Sequence, residues 1–281
     1  MSESKSTPTT FIAVLGGGVM GGAIAAGAIA SGWPATQVTV ADKNADALAA
    51  LASAHGLATT QDLARAAADA DVIVFAVKPQ DAATALDAFA TSVRPGTVLL
   101  TVAAGLPASF YEARLPAGTP VVRAMPNTPA LIGKGATAIA AGAHATPAHM
   151  ALAKAVLAAT GLVVEVDEEQ IVAVGTLSGS GPAYFYAFVE AMIEAGIMQG
   201  LDREMASDLA IQTFVGAAAL LDSSDVGPGE LRARVSSKGG TTLAALGAMS
   251  DAGLQTVVAV GLQAAERRTR ELAVELAGDA S

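Results

Sequence analysis

The apolar positions of this 281-residue chain follow a strand-and-helix rhythm over its first 166 residues. Short runs of β-branched and other apolar residues alternate there with alanine-rich segments, and Pro or Gly turn signals separate them. The apolar runs predict strands at 9–15, 37–41, 71–77, 98–102, 121–124, 136–140 and 162–166. Such alternation indicates an α/β fold with a doubly wound parallel sheet, whose ligands lie beyond the carboxyl ends of the strands.

After Val166 the pattern changes, and only helical periodicity remains. The predicted helices are 183–199, 202–221 with Asp202 as N-cap, 231–235, 241–249 and 253–276. We therefore predict two domains, an α/β domain at 1–166 and an all-α domain at 167–281. The helix at 183–199 carries only Glu190 and Glu194 as charges, so it should be buried on several sides. A helical domain of this size rarely achieves that alone, which predicts an oligomer.

No residue from Ser6 to Ala41 carries a charge, and the stretch 11–33 has the length and hydropathy of a membrane span. A cleaved signal peptide, with Lys5 as its positive region, is a second interpretation. Neither suits three consecutive glycines inside the apolar core, and no positive flank or stop-transfer pattern follows. We therefore expect a soluble, cytoplasmic protein without a membrane partner, whose polar tail from Met1 to Pro8 is frayed.

A dinucleotide-binding turn explains the uncharged stretch better. Gly16-x-Gly18-x-x-Gly21 directly follows a predicted strand and opens an alanine-rich helix, which is the context that this fingerprint requires. Gly16 permits the tight turn, Gly18 the approach of a pyrophosphate, and Gly21 close packing of the helix on the strand. Backbone N–H groups at the helix N-terminus then hold the phosphates. The first domain is therefore predicted to be a Rossmann-like NAD(P)-binding domain.

Two residues after the second predicted strand indicate opposite cofactors. Asp42 lies 21 residues after Gly21, where an acidic side chain binds the adenosine ribose 2′-hydroxyl of NADH. The adjacent Lys43 is suited to neutralise the 2′-phosphate of NADPH instead. The sequence therefore leaves the choice between NAD and NADP open.

Composition narrows the classes of function. An apolar share of 52% and a mean hydropathy of +0.49 exclude intrinsic disorder. A net charge of −10, with a pI near 4.7, repels a phosphate backbone, so we expect no nucleic-acid partner. The chain has no cysteine and its three histidines lack ligand spacing, so we expect no metal.

A second chemical signal lies at Ser236–Thr242, where two glycines stand directly before a predicted helix. Bare N–H groups at such a helix start bind an anion such as a carboxylate, and the hydroxyls of Ser237, Thr241 and Thr242 add donors and acceptors. An ordinary serine or threonine cap with a flexible glycine entry is the alternative. No residue presents itself as a strong general acid, which favours a substrate that brings its own proton, such as an iminium ion.

Six motifs, in order along the chain, resemble those of the pyrroline-5-carboxylate reductase family over residues 11 to about 272. They are the Gly16–Met20 turn, Ala76–Pro79, Ala103–Gly105, Arg123–Pro129, Gly179–Tyr184 and Ser236–Thr242. The resemblance implies a Rossmann-like domain, then an all-α dimerisation and substrate-binding domain that forms homodimers, often assembled into decamers. It implies reduction of 1-pyrroline-5-carboxylate to L-proline, the last step of proline biosynthesis, with NADPH as the usual cofactor and NADH as the alternative. A related imine or keto-acid reductase and a non-catalytic dinucleotide-binding protein are the other functions considered.

The predicted cofactor-binding residues, from motif and resemblance together, are Gly16, Gly17, Gly18, Val19, Met20, Asp42, Lys43, Val77, Lys78, Pro79, Ala104 and Asn127. The resemblance assigns the substrate to Ser237, Gly239, Gly240, Thr241 and Thr242, whose backbone N–H groups would hold its carboxylate. Thr242 would lie near the ring nitrogen with Ser237 close by, and these two are the predicted catalytic residues. The loop would serve the cofactor of the partner subunit. Lys238 stands where the family commonly has proline, and we expect it to reach solvent.

Overall fold

The strands form one mixed sheet in the computed structural model, which describes residues 10–278. Within this part of the chain the strand order is β3-β2-β1-β4-β5-β6-β7-β8. The strands are β1 (Ile12–Leu15), β2 (Val38–Ala41), β3 (Ala58–Thr60), β4 (Val72–Phe75), β5 (Val98–Thr101), β6 (Val121–Met125), β7 (Gly135–Ala141) and β8 (Gly161–Glu165). The first six follow the 3-2-1-4-5-6 order of a Rossmann sheet, so the predicted fold class is confirmed. Thr9 and the tail that we expected to fray lie outside the described residues.

Local sequence signals set the ends of several helices. The helices are α1 (Val19–Ala30), α2 (Ala45–His55), α3 (Leu63–Ala68), α4 (Ala82–Phe89), α5 (Ala108–Glu112), α6 (Pro147–Leu157), α7 (Ile171–Val174), α8 (Gly181–Met198), α9 (Arg203–Asp222), α10 (Pro228–Arg234), α11 (Thr241–Asp251) and α12 (Leu254–Gly278). Asn44 caps α2 with its side-chain oxygen, and Gly56 ends that helix with a φ of 67°. Asp202 caps α9 as predicted, because its carboxylate accepts a hydrogen bond from the Met205 N–H at 2.8 Å.

The prediction of a wholly parallel sheet is wrong at one pairing. β7 runs antiparallel to β6, whereas the other neighbouring strands are parallel. Residues 126–134, which join these two strands, are too few for the crossover of a dozen or more residues that a parallel pair needs. The apolar pattern also does not predict β3, because this edge strand is three residues long and largely exposed.

Helices cover both faces of the sheet, as the doubly wound prediction requires. On one face α1 and α6 pack against side chains that include Ile12 and Val14. On the other face α3, α4 and α5 pack against the alternate residues, including Ala13 and Leu15. β1, β4 and β5 are buried along their full length, which explains their unbroken apolar runs.

Tyr111, on α5, gives the core a dependence on alkaline pH. Burial raises the pKa of Tyr111 from 10.0 to about 12 and outweighs the lowering effects of Thr101 and Arg123. Because the folded state favours the neutral phenol, its stabilising contribution is complete below pH 10 and is lost as the pH rises towards 12. We expect the free energy of unfolding to fall by about 2 to 3 kcal/mol across this window. Urea unfolding at several alkaline pH values measures it, and an equal fall in Tyr111→Phe would contradict this cause.

The described chain divides into two compact units. One comprises residues 10–180 and 266–278, and the other comprises residues 181–265. In the first unit, Ile171 of α7 packs against Ala138 and Ala140 of β7. In the second unit, Phe214 of α9 packs edge-on against Phe185 and Phe188 of α8, at ring-centroid distances of 5.2 and 5.8 Å. The domain boundary after residue 166 stays a prediction.

The described part of the uncharged stretch folds as β1, α1 and β2, and all of β1 is buried in the core. Among the described residues no single helix has the length and hydropathy to cross a membrane. Helices α11 and α12 meet those criteria only together, as a pair bent by 48°.

Candidate active site

The carboxyl ends of four neighbouring strands lie level at one edge of the sheet. The residues in register there are Ala41 of β2, Leu15 of β1, Phe75 of β4 and Thr101 of β5. At a strand spacing of about 4.8 Å, the end of β2 lies roughly 14 Å from the end of β5. The predicted cofactor residues follow these ends: Asp42 and Lys43 after β2, the glycine turn after β1, Val77, Lys78 and Pro79 after β4, and Ala104 after β5. The sheet therefore brings these loops to a single edge.

The glycine turn leaves open space in front of the N-terminus of α1. Gly16 has a φ of 104°, and a Cβ atom at this position would lie 2.6 Å from the carbonyl oxygen of Ala76. A Cβ atom at Gly21 would overlap the carbonyl oxygen of Gly16. Gly18, the N-cap residue, is extended, and a Cβ atom there would meet nothing within 4 Å. With no acidic residue in the first turn and no side-chain cap, this cradle fits an anion such as a pyrophosphate.

Val19 and Met20 form the first turn of α1 beside this open space. Val19 is exposed, whereas Met20 is partly buried against the core. Gly17 is buried, and its N–H donates to the carboxylate of Asp42 at 2.6 Å. The turn is therefore held from its β2 side by a charged acceptor.

The two charged residues after β2 are held differently. The second oxygen of the Asp42 carboxylate, Oδ1, accepts from the Asn44 N–H at 2.8 Å. Lys43 points to Asp81, with its Nζ atom 3.3 Å from Oδ2, and its side chain is 88% exposed. Asp42 is thus fixed by backbone groups, whereas Lys43 makes one exposed ion pair of small energetic value.

The loops after β4 and β5 offer mainly backbone and small side chains. Lys78 is exposed and occupies the N-cap position of the short 3₁₀ turn Pro79–Asp81, without a hydrogen bond from its side chain. Pro79 occupies the first position of the turn. Val77 is partly buried against the core, while Ala104 is exposed. The structure therefore places Lys78 and Ala104 at the edge where the ends of β4 and β5 meet, open to a ligand.

Asn127, after β6, is buried, and its side chain bonds to the protein itself. Its amide donates to the Ser178 carbonyl oxygen at 3.0 Å, and its side-chain oxygen accepts from the Ala136 N–H at 2.9 Å. Asn127 therefore ties the start of β7 and the segment around Ser178 to the end of β6. The assignment of this residue to the cofactor stays a prediction.

The segment that Asn127 holds contains a π-helical turn, Gly175–Gly179. The turn lies against the side chain of Met125, because a Cβ atom at Gly179 would come 2.5 Å from its Cε atom and one at Gly175 would come 3.3 Å from it. Turns of this kind are frequent at functional sites. Glycine at position 179 is therefore required for this close approach.

The predicted substrate loop lies at the N-terminus of α11, in the second unit. Gly240 is the N-cap, extended and without a side-chain cap, and no acidic residue stands in the first turn. Gly239 has a φ of 75°, and the N–H of Gly240 donates to the Ser237 carbonyl oxygen at 2.9 Å. Ser237 and Thr241 are exposed and Thr242 is partly buried. The loop thus presents free N–H groups and hydroxyls together, and Lys238 beside them is exposed.

One ion pair beside the sheet was not predicted as such. Arg123 in β6 is buried, and its Nη1 atom lies 3.3 Å from Oε1 of Glu168. The same carboxylate oxygen accepts from the Ala108 N–H at 2.7 Å, at the start of α5, which has no side-chain cap of its own. A charged residue in an apolar strand signals that a partner must exist, but its spacing along the chain does not name that partner.

No group of three or more metal-ligating side chains occurs within residues 10–278. The open glycine cradle and the strand-end loops lie in the first unit. The bare helix start of α11 lies in the second unit.

Comparison with known proteins identifies the family. Residues 168–272 match the family model described as pyrroline-5-carboxylate reductase dimerisation, and residues 11–105 match NADP oxidoreductase coenzyme F420-dependent. The chain is 42% identical to the pyrroline-5-carboxylate reductase of Pseudomonas aeruginosa, over 96% of this chain and 99% of that protein. The chain belongs to the pyrroline-5-carboxylate reductase family. The predicted resemblance is thereby confirmed.

Solved structures of pyrroline-5-carboxylate reductases share the fold. The reductase from Coxiella burnetii superposes with a TM-score of 0.90 at 34% identity, covering 94% of this chain and 99% of that one. The reductase from Plasmodium falciparum, solved with NADP bound, has a TM-score of 0.82 at 24% identity, covering 95% and 100%. Like the other members of the pyrroline-5-carboxylate reductase family, the chain is an NAD(P)H-dependent oxidoreductase. The open cradle at Gly18 fits the pyrophosphate of such a cofactor.

Helix α8 lies within the residues that match the dimerisation domain of the reductase family, and its surface is apolar. Val189 is the one buried residue of this helix within the described chain, while Phe185, Tyr186 and Met192 are exposed by 43%, 56% and 40%. We expected α8 to be buried on several sides, which a single chain does not achieve. Because the chain carries the family's dimerisation domain, it forms a homo-oligomer.

Proposed function

We propose that this chain reduces the C=N bond of 1-pyrroline-5-carboxylate with NAD(P)H and forms L-proline, completing proline biosynthesis. The observation that carries this proposal is the open glycine cradle, level with the ends of β2, β4 and β5, in a chain with near-full-length reductase relatives. The loop at the start of α11 supplies the second requirement, a site for the substrate carboxylate.

The cofactor residues act by binding and orientation. The N–H groups of Gly18, Val19 and Met20 face the pyrophosphate, the Gly17 N–H holds Asp42 beside them, and Gly16 keeps the backbone clear of the cofactor. Lys78, Pro79 and Ala104 border the ribose and nicotinamide end, two and three strand positions from β2. When bound, the reduced nicotinamide supplies the hydride for the C=N carbon.

The substrate residues position an imine that needs no further acid. The N–H groups of Gly239, Thr241 and Thr242 hold the carboxylate, while the Gly240 N–H closes the turn onto the Ser237 carbonyl oxygen. The Thr242 hydroxyl lies near the ring nitrogen, with the Ser237 hydroxyl beside it. In the protonated imine, hydride addition to carbon neutralises the positive nitrogen and gives a secondary amine. Anchoring and orientation therefore account for most of the rate enhancement that the protein provides.

The helical domain also bears on the oligomeric state of the enzyme. We propose a homodimer built through the apolar faces of the helical domain, assembled further into a decamer, in the cytoplasm. In this arrangement the Ser237–Thr242 loop serves the cofactor bound by the partner subunit. The exposed aromatic face of α8 supports the dimer.

Thr242→Ala tests the substrate site. We expect kcat/KM for 1-pyrroline-5-carboxylate to fall about 10- to 100-fold, since a hydrogen bond to a charged or polarised group contributes roughly 1.5 to 3 kcal/mol. NAD(P)H affinity should stay unchanged, because the cradle residues are intact. Steady-state oxidation of NAD(P)H and a separate titration of cofactor binding measure the two effects, and Thr242→Ser, which keeps the hydroxyl, should recover most of the loss.

The same assay separates the competing functions. Turnover of a six-membered cyclic imine in preference to 1-pyrroline-5-carboxylate would identify a related imine reductase. Cofactor binding without turnover of either imine would indicate a non-catalytic protein. A Thr242→Ala enzyme with unchanged kcat/KM would move the substrate site to another loop.

A further inference from the structure

The carboxylate of Asp42 is fixed at the end of β2 by backbone groups from two sides. Its Oδ2 atom accepts from the Gly17 N–H at 2.6 Å, and its Oδ1 atom accepts from the Asn44 N–H at 2.8 Å. The N–H of Asp42 itself donates to the Thr60 carbonyl oxygen of β3 at 3.2 Å. Asp42 is partly buried, and these hydrogen bonds hold its carboxylate beside the glycine turn.

The position of this carboxylate is next to the phosphate cradle. Gly17 belongs to the turn that opens at Gly18, and Ala41, which precedes Asp42, is in register with Leu15 at the start of that turn. An ionised carboxylate has about four acceptor positions, and the two backbone N–H groups use two of them. The remaining positions suit the two hydroxyl groups of an adenosine ribose, which are donors. A 2′-phosphate has only acceptors and negative charge to offer, so it is repelled there.

Lys43 does not reverse this preference. Its Nζ atom lies 3.3 Å from Oδ2 of Asp81, in a pair whose side chains are 88% and 45% exposed. The positive charge of Lys43 is thus already paired with Asp81 and exposed to solvent, so it contributes little to binding a 2′-phosphate.

We propose that Asp42 is the specificity-determining residue for the cofactor and that this chain binds NADH more tightly than NADPH. The proposal rests on the reductase function above, and it names which of the two dinucleotides that function uses. Asp42 accepts hydrogen bonds from the adenosine ribose hydroxyls, and its charge disfavours the 2′-phosphate of NADPH.

Binding titrations of the full-length protein with NADH and with NADPH test the proposal without relying on turnover. Wild type should bind NADH at least about tenfold more tightly, which equals ~1.4 kcal/mol. Asp42→Asn keeps the size of the side chain and removes its charge, and Asp42→Ser also removes its reach. Both variants should shift the ratio of the two dissociation constants towards NADPH by about tenfold or more. The ratio is the readout because loosening of the glycine turn weakens both dinucleotides alike.

Asp46→Asn is the matched control, since it removes the same charge four residues further on, from an exposed position on α2. It should leave the ratio of the two dissociation constants unchanged. A wild-type protein that binds NADPH more tightly, or an Asp42→Asn ratio equal to that of wild type, would overturn the assignment. Failure of the reductase function looks different, because then neither dinucleotide binds or neither supports reduction of 1-pyrroline-5-carboxylate.

Discussion

Gly21→Ala is expected to lower the free energy of unfolding by about 2 to 3 kcal/mol, whereas Gly18→Ala should lower it by less than about 1 kcal/mol, the cost of alanine at an N-cap. The Cβ atom that Gly21→Ala adds would overlap the Gly16 carbonyl oxygen and approach the Ala76 Cβ atom to 3.1 Å. Relief requires α1 to move off the sheet, because both neighbours belong to the strand-end loops. Urea unfolding of Gly21→Ala and Gly18→Ala measures the difference.

Gly18→Ala should instead weaken NAD(P)H binding by about 10- to 100-fold, because its methyl group enters the open space in front of α1. Gly27→Ala in the same helix is the control, since a Cβ atom there makes ordinary contact with Ala159 at 3.5 Å. It should leave cofactor binding intact and stabilise α1 slightly. Normal cofactor affinity in Gly18→Ala would mean that the pyrophosphate does not lie at this helix end.

Glu168→Ala is expected to cost about 3 kcal/mol of stability, because it leaves the buried guanidinium of Arg123 without its carboxylate. The value lies at the lower end for a broken buried pair, since the Glu168 side chain is 31% exposed. The change also removes the acceptor of the Ala108 N–H at the start of α5. Thermal and urea unfolding measure the loss.

Glu169→Ala provides a control of equal charge, one residue further on and exposed. It should change stability by less than about 0.5 kcal/mol. Glu168→Gln keeps an acceptor for the Ala108 N–H, so its stability should lie between those of Glu168→Ala and Glu169→Ala. Equal stability of Glu168→Ala and Glu169→Ala would show that Arg123 is satisfied by other groups.

Features that depend on neighbouring residues were predictable from the sequence. The Gly16-x-Gly18-x-x-Gly21 spacing predicts a turn with a positive φ and a helix start without a Cβ atom in front of it, and the structure has both. Asp202 as a cap belongs to the same class, because the cap and the N–H that it accepts from are three residues apart.

Features that depend on residues far apart in the chain were not predictable from the sequence. Glu168 caps α5 and pairs with Arg123, 45 residues away, and no local pattern around Glu168 names either partner. The bond from Asn127 to Ser178 spans 51 residues, and nothing in either local pattern requires it. The reversal of β7 depends on loop length, a quantity that the apolar periodicity does not encode.

The reversal of β7 determines the route by which the chain returns to the cofactor edge. Because β7 and β8 both run opposite to β6, the chain leaves β8 at the amino edge of β6, far from the glycine turn. Residues 168–179 then travel back along the sheet, anchored by Glu168 at the outset and by Ser178 on arrival at Asn127. The two anchors therefore fix the length of this segment. We expect a single residue inserted between Glu168 and Ser178 to move Ser178 out of reach of the Asn127 amide. An insertion in the exposed turn before α6 should leave this hydrogen bond intact.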